Sequence, residues 1–316
     1  MILLVLCSFT ALAEEIPNKE EKTYPTIIPA PQVLKKTGVG EVTAIIDAIR
    51  LQLRDGRIIE LSELDIPDMF QREPGDITLE ATKLLKEIFL NKKVNIYQNP
   101  DARNRKVNRM GHHVAHITLT ENDLWAQGAL IAEGLARVRT TTEHRALAPE
   151  LLELEQTARE NIPALLEDEG SAPPLPFLWR DQQYKILDTE QALKAVEGFQ
   201  IVEGTIKKAA IRQNRIYLNF GDNWRYDFTL GIKPESRRLF SKEGHAPLEW
   251  RGKTVRVRGW LREYNGPYIE VDHPERIEFI EPEKKEPDLS KAVVPPIDKE
   301  IIKDALPDTR DIEFNR

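Results

Sequence analysis

Apolar and polar residues alternate along the first part of the chain in the manner of β-strands. Between residues 40 and 64 the apolar positions fall two apart on either side of Asp55-Gly56, which predicts a hairpin. The period then changes to that of an amphipathic helix over residues 77–90. The later periodic segments of this region predict two strands and two helices, at 93–98, 112–119, 124–135 and 148–160. Strands followed by helices predict a small β-barrel with helices packed against it.

A second series of strand-like segments follows the proline-rich stretch at residues 170–176 (GSAPPLP). The alternation predicts one long strand over residues 201–211 and further strands at 216–220, 228–230, 255–258 and 268–271. A short helix fits residues 236–242. Five strands with one short helix predict a small barrel of the oligonucleotide/oligosaccharide-binding (OB) type. The predicted fold class is therefore mainly β with α, an OB-type barrel with helices followed by a second, five-stranded OB-like barrel.

The breaks between these patterns divide the chain into six segments. The opening residues, MILLVLCSFTALAEE, form an apolar run that ends in Ala11-Leu12-Ala13 and is too short to span a bilayer. This run predicts a secretory signal cleaved after Ala13, and hence a periplasmic or secreted bacterial protein with no membrane span. The predicted segments are a signal peptide (1–13), a linker (14–37), a first domain (38–163), a linker (164–188), a second domain (189–281) and a disordered tail (282–316).

Composition and charge exclude several classes of protein. With 316 residues, 31% of them charged, the chain is neither a membrane-spanning bundle nor a collagen-like fibre, and it is too apolar to be wholly disordered. The net charge is −7, but residues 191–280 carry 16 basic and 12 acidic side chains. A protein that coats nucleic acid usually has a strong positive balance, so a polyanion is expected to bind only at a local patch.

Three aspartates form the first candidate site. Asp47 follows one predicted strand, and Asp65 and Asp68 lie in the stretch Leu64-Asp65-Ile66-Pro67-Asp68. Carboxylates at adjacent strand ends can converge on a hard cation such as Ca²⁺, which prefers several oxygen ligands. The alternative is a solvated turn in which Asp65 accepts hydrogen bonds from backbone amides.

Two basic segments are candidates for nucleic-acid contacts. The loop before the strand at 112–119 can position a phosphate backbone through Arg103, Arg105, Lys106 and Arg109. In the second region Arg256, Arg258 and Trp260 alternate with Val255 and Val257 and are expected to face outward. Cations beside aromatic rings suit single-stranded DNA or RNA, because the cations attract phosphate and the rings stack on bases. The alternative for the first segment is an ordinary solvated loop. The alternative for the second is that its aromatic rings complete the core while its arginines are solvated.

Taken together, these segments resemble the staphylococcal-nuclease (thermonuclease) family over about residues 38–163. The resemblance rests on the order hairpin, L-D-I-P-D, amphipathic helix, basic loop and G-H-H-V-A-H strand, and above all on the run W-A-Q-G-A-L-I-A-E-G-L-A-R-V. It implies an OB-type barrel with helices and, for active members, Ca²⁺-dependent cleavage of phosphodiesters in DNA and RNA. The segments Y-L-N-F-G-D-N-W-R-Y-D-F and V-R-V-R-G-W-L are similar to the C-terminal extension of some exported proteobacterial relatives.

The resemblance assigns roles to particular residues and also shows departures from the family pattern. It makes Asp47 and Asp65 the metal ligands, and Asp68 stands where the family has a glutamate that acts as the base. Glu60 and His112 stand where the family has its two phosphate-binding arginines. Because fixed cations stabilise the charge that gathers in the transition state, their loss predicts little hydrolysis.

Three functions stay open from the sequence. The first is an exported nuclease-like protein that binds nucleic acid or another polyanion with little hydrolysis. The second is an active Ca²⁺-dependent endonuclease whose rearranged site recruits Arg50, Arg57 or Arg109 to the phosphate. The third is a scaffold that binds other proteins of the bacterial envelope.

Overall fold

The computed structural model describes residues 23–30, 32–100, 106–166, 186–195 and 197–280, with side chains of the third range described to residue 160. The predicted signal peptide, Arg103, Arg105 and the predicted tail lie outside the described residues, as do most of the second linker and part of the first. All of the elements below belong to one compact unit. No helix within the described ranges is long and apolar enough to cross a membrane.

The first half of the chain forms a closed five-stranded barrel with helices, as predicted. The strands of this half, five of which form the barrel, are β1 (Lys35–Ile45), β2 (Arg50–Leu53), β3 (Ile58–Leu61), β4 (Leu64–Asp65), β5 (Lys93–Gln98), β6 (His113–Leu119) and β7 (Arg137–Val138). Its helices are α1 (Asp76–Phe89), α2 (Ala126–Ala132) and α3 (Ala148–Leu166). The barrel closes in the order β1-β2-β3-β6-β5, while β4 and β7 form a separate two-stranded ladder. Strand β1 begins inside the predicted first linker.

Helix α1 packs on the barrel because its apolar residues recur at helical spacing. Ile77, Ala81, Leu85 and Phe89 are all buried. The helix follows Gly75, where a side chain would overlap the carboxylate of Asp68. The turn that contains Asp68 is therefore held directly against the start of α1.

The second half of the chain forms an eight-stranded sheet. Its elements are β8 (Ile186–Leu187), β9 (Gly198–Thr205), β10 (Lys208–Arg212), β11 (Arg215–Asn219), β12 (Thr229–Ile232), α4 (Pro234–Lys242), β13 (Thr254–Glu263), β14 (Pro267–Val271) and β15 (Ile277–Phe279). The strands follow the order β10-β11-β12-β14-β13-β9-β8, and β15 pairs with β13. Buried apolar residues from these strands and α4 form a second core.

The two halves share one order of strand pairing. In the first half β3 and β6 are parallel, and the other barrel pairs are antiparallel. In the second half β12 and β14 are parallel, and β11, β13, β9 and β10 complete the same sequence of antiparallel neighbours; β8, outside this sequence, adds a second parallel pair with β9. Strands β9 and β10 are separated by only two residues, and together they occupy the position in the strand order that β1 has in the first half. No sequence repeat accompanies this shared topology.

Buried polar groups join the two halves. Arg258 of β13 donates hydrogen bonds to both carboxylate oxygens of Glu155 on α3, at 3.0 and 3.1 Å, and to the carbonyl of Val138 at 3.1 Å. Nearby, the Thr140 hydroxyl lies 2.7 Å from Nε2 of His273. The halves therefore pack through specific hydrogen bonds as well as through apolar side chains.

This packing corrects the expectation that Arg258 faces outward. Arg258 is 0% exposed, because α3 covers this part of β13. Arg256 is also largely buried and donates to Glu203 and to Gln156 of α3. The alternation along the strand is correct, since Val255 and Val257 face the core of the sheet. The outer side of the strand, however, is an intramolecular interface at these positions.

The contact between Asp272 and His273 makes stability depend on pH. Burial alone would raise the pKa of Asp272, but the hydrogen bond from His273 and the charge of Arg276 lower it to about 2. A carboxylate whose pKa is lower in the folded state contributes stability above its ordinary pKa of 3.8 and loses it as the pH falls toward 2. We therefore expect the free energy of unfolding to fall over this range.

The measurement is urea unfolding at a series of pH values between 5 and 2. Asp272→Asn is expected to unfold more easily at pH 5 and to show a smaller change with pH than the wild type. Asp222→Asn, at an exposed carboxylate, is the control and should follow the wild-type curve. Identical pH profiles for wild type and Asp272→Asn would show that this contact contributes nothing.

Candidate functional site

Asp65 lies in β4, whose pairing with β7 places it beside Arg137. Its Oδ2 accepts a hydrogen bond from Nε of Arg137 at 2.8 Å, and its Oδ1 lies 3.5 Å from Nη1 of Arg139. The Asp65 and Arg137 side chains are buried, whereas the Arg139 side chain is 43% exposed. Both oxygens of Asp65 are therefore paired with guanidinium groups.

Asp68 serves the backbone of α1. Its two oxygens accept hydrogen bonds from the amides of Ile77 and Thr78, at 2.9 and 3.0 Å, and from the Thr78 hydroxyl at 2.6 Å. An acidic side chain is favourable here, because the first amides of a helix lack partners within the helix and carry partial positive charge. The position that the resemblance assigns to the catalytic base thus holds a helix cap.

Asp47 is bound within its own turn. One oxygen accepts from the amide of Ile49 at 3.0 Å, and the other accepts from Nε of Arg50 at 2.6 Å. From the sequence, Arg50 is one of the side chains expected to bind phosphate if the site is active. In the structure its guanidinium neutralises Asp47 instead.

The three aspartates do not fit a Ca²⁺ site. Asp47, Asp65 and Asp68 each have their own hydrogen-bond donors, and a cation would have to displace two arginines from Asp65 alone. Across the described residues no group of three or more histidine, cysteine, aspartate or glutamate side chains could hold a metal ion. The convergence expected from the sequence is therefore not observed, and we assign no step of chemistry to a bound cation.

Glu60 and His112 lie close together, at the positions where the resemblance places arginines. Oε2 of Glu60 accepts from Nδ2 of Asn108 at 2.8 Å and lies 3.4 Å from Nδ1 of His112. Oδ1 of Asn108 in turn accepts from the amides of Met110 and His112. An acid and an imidazole therefore lie side by side, joined through the amide of Asn108, and this group of side chains has little attraction for phosphate.

The other candidate cations of the first half are paired or lie exposed in the loop that carries Asn108 and His112. Arg57 is bound to Asp55 and to the carbonyl of Val39, which removes a second possible replacement for the missing arginines. Arg109 is exposed in the loop before β6. In the same loop the Lys106 carbonyl accepts from Nε2 of Gln98 at 2.8 Å, which anchors the loop to β5.

Arg137 and Arg139 are the residues that sequence reasoning missed. They flank Val138 in the segment L-A-R-V-R, Arg137 within β7 and Arg139 directly after it, and the extended chain places both side chains on the same side. Both guanidinium groups also lie over the ring of Phe199 in the second half, at 4.8 and 5.6 Å from its centroid. The alternation around Val138 was the available signal, but it did not reveal which carboxylate the arginines would meet.

Trp260 is the one member of the predicted C-terminal triplet, Arg256, Arg258 and Trp260, that is exposed in the structure. It lies on the same side of β13 as Arg258, beyond the part that α3 covers. Two residues further along the strand, the Arg262 guanidinium lies 5.9 Å from the centroid of the Tyr268 ring.

Neither a search of protein-family models nor a search of curated proteins finds a match to this chain.

Proposed function

We propose that this protein is an exported, nuclease-like protein that binds nucleic acid or another polyanion and hydrolyses it little. The observation that carries the proposal is the pairing of Asp65 with Arg137 and Arg139. A carboxylate paired in this way is unavailable to a cation, and two arginines bound to it are less available to a phosphate. The same groups that would perform hydrolysis stabilise the fold instead.

The expected fall in the rate of hydrolysis is large enough that little activity should remain. Removing a single donor that stabilises transition-state charge costs on the order of 10²–10³ in rate. At Glu60 and His112 two such donors are absent, and one is replaced by a carboxylate. Asp68, the remaining group of the family pattern, is engaged by the amides of α1.

Binding is assigned to the second half, which we propose is a second OB-type barrel with β9 and β10 acting as one continuous strand. Barrels of this type bind oligonucleotides and oligosaccharides on one face and its adjoining loops. The excess of basic over acidic residues between 191 and 280 favours an anionic ligand. Localisation to the periplasm or the medium is part of the proposal and rests on the apolar run that ends at Ala13.

The test combines a cleavage assay with a binding assay on the purified full chain. We expect a labelled single-stranded DNA to stay intact in Ca²⁺, and we expect its affinity to fall about tenfold or more between about 50 and 200 mM salt. Rapid degradation that a chelator stops would contradict the proposal. Absence of salt-dependent binding to any polyanion would also contradict it and would favour an envelope scaffold.

A second candidate is an active endonuclease with a rearranged site. The observation that favours it is the exposure of Arg139, which could turn from Asp65 toward a phosphate at 43% side-chain exposure. This candidate requires cleavage that Asp65→Ala abolishes. Equal cleavage by wild type and Asp65→Ala would point to a contaminating nuclease.

A further inference from the structure

Exposed aromatic rings and arginines gather at one end of the second sheet. They come from the β11–β12 loop, from the outer side of β13 and from the β13–β14 loop. We call this the aromatic–arginine surface and define it by Trp224, Arg225, Tyr226, Trp260, Arg262 and Tyr264. The exposed fractions of its four rings are 54% for Trp224, 66% for Tyr226, 52% for Trp260 and 56% for Tyr264.

The β11–β12 loop is ordered by its own polar side chains. A carboxylate oxygen of Asp227 accepts from the amide of Asn223 at 2.6 Å, and Oδ1 of Asn223 accepts from the amide of Arg225 at 3.3 Å. Because the polar side chains bond the loop backbone, Trp224 and Tyr226 are left on the outside. The Arg225 guanidinium lies 5.1 Å from the centroid of the Trp224 ring. A rigid loop loses little conformational entropy when a ligand binds to it.

The β13–β14 loop brings a third ring into the same area. Its tip, Gly266, has a positive φ of 90°, and a side chain there would lie 2.7 Å from the backbone of Tyr226, so the two loops are in contact. The ring of Tyr264 lies 5.4 Å from that of Tyr268. Since Arg262 lies over the opposite residue Tyr268, rings and cations alternate from β13 into both loops.

The cations of this surface are Arg225 and Arg262, and the exposed carboxylates of Asp222 and Glu263 lie near them along the chain. Glu270, a carboxylate beside Tyr268, is already neutralised by Lys233, Arg215 and Arg262. Side-chain guanidinium groups stacked on rings keep their outer faces available to phosphate or to another ring. The surface thus offers both of the contacts that a nucleic-acid strand needs.

We propose that the aromatic–arginine surface binds single-stranded nucleic acid by stacking unpaired bases on its exposed rings. Bases within a duplex are stacked on one another and cannot offer their faces to Trp224 or Tyr264, so the surface selects single strands. This inference rests on the proposed function and adds both the site and the ligand class. The binding residues are different from Asp65, Arg137 and Arg139, although Trp260 pairs across the strands with Phe199, whose ring those two arginines cover.

The experiment compares three anionic probes on the full chain: labelled oligo(dT), a DNA duplex of equal length, and heparin. We expect oligo(dT) to bind more tightly than the duplex. In the variants Trp224→Ala and Tyr264→Ala we expect oligo(dT) to bind about 5- to 150-fold more weakly, the range found when one stacking ring is removed. Heparin has no bases and should bind these variants as it binds the wild type.

Phe70→Ala is the matched control, because Phe70 is a highly exposed ring in the first half and lies outside the surface. It should leave all three affinities unchanged, and urea unfolding should be the same for all variants because the substituted rings are exposed. Unchanged oligo(dT) affinity in Trp224→Ala and Tyr264→Ala would overturn the inference, while salt-dependent binding would still support the proposed function. Binding of the duplex as tight as or tighter than that of oligo(dT) would likewise overturn it.

Discussion

Replacing Arg258 with methionine should lower the free energy of unfolding by about 3 kcal/mol. The substitution leaves Glu155 fully buried without its main partner, and breaking a buried ion pair on one side typically costs about 3–5 kcal/mol. The lower end applies because Arg159 and the amide of Val138 still bond Glu155, at 2.8 and 2.7 Å. Burial alone would raise the pKa of Glu155, but the charge of Arg258 holds it below its ordinary value.

Urea unfolding of the two proteins measures this effect, with Arg262→Met as the control. Arg262 lies on the same side of β13 four residues later, but its side chain is half exposed. Its replacement should change stability by no more than about 0.5 kcal/mol. Adding Glu155→Gln to Arg258→Met should recover part of the loss, because the buried charge is then gone. An equal loss in Arg258→Met and Arg262→Met would show that the buried ion pair is not the cause.

The sequence predicted the elements whose formation depends on neighbouring residues. The alternation around the Asp55-Gly56 turn produced the β2–β3 hairpin, and the helical spacing over residues 77–90 produced α1. These patterns are informative because each element buries its own apolar side against the barrel core. The closed barrel of the first half follows from them and is confirmed.

The sequence did not reveal partners that are distant along the chain. Alternation places Arg258 opposite Val257, but it cannot show that Glu155, 103 residues earlier, covers that side of the strand. The pairing of Asp65 with Arg137 joins residues 72 apart and depends on the ladder between β4 and β7. Whether a carboxylate binds a cation or an arginine is decided by such non-local contacts.

The sequence predicts an OB-type barrel in both halves, but it does not give the pairing of the individual strands. Strand order is set by which backbone amides and carbonyls meet, and quite different side chains can fill the same barrel positions. A long strand predicted over residues 201–211 is split in the structure into β9 and β10 at Ile206 and Lys207. The two parts pair with different strands, which a pattern of apolar residues cannot indicate.

Asp65→Ala should lower the free energy of unfolding by about 3 kcal/mol, and Ca²⁺ should leave this loss unchanged. In the structure Asp65 neutralises Arg137, whose side chain is only 2% exposed, so removing the carboxylate leaves a buried cation without its counter-ion. A carboxylate that belonged to a metal site would behave in the opposite way. Without the cation such carboxylates repel one another, and removal of one should stabilise the protein.

Urea unfolding of the wild type and Asp65→Ala, each in chelator and in millimolar Ca²⁺, separates these two roles of the carboxylate. Asp65→Asn should lose less stability than Asp65→Ala, because its amide oxygen can still accept a hydrogen bond from Arg137. Asp222→Ala, at an exposed carboxylate, should be close to the wild type under both conditions. If Ca²⁺ stabilised the wild type but not Asp65→Ala, the aspartate would be a metal ligand, because a ligand stabilises only the form that binds it. The proposal that Asp65 binds two arginines in place of a cation would then be wrong, and so would the proposed loss of hydrolysis.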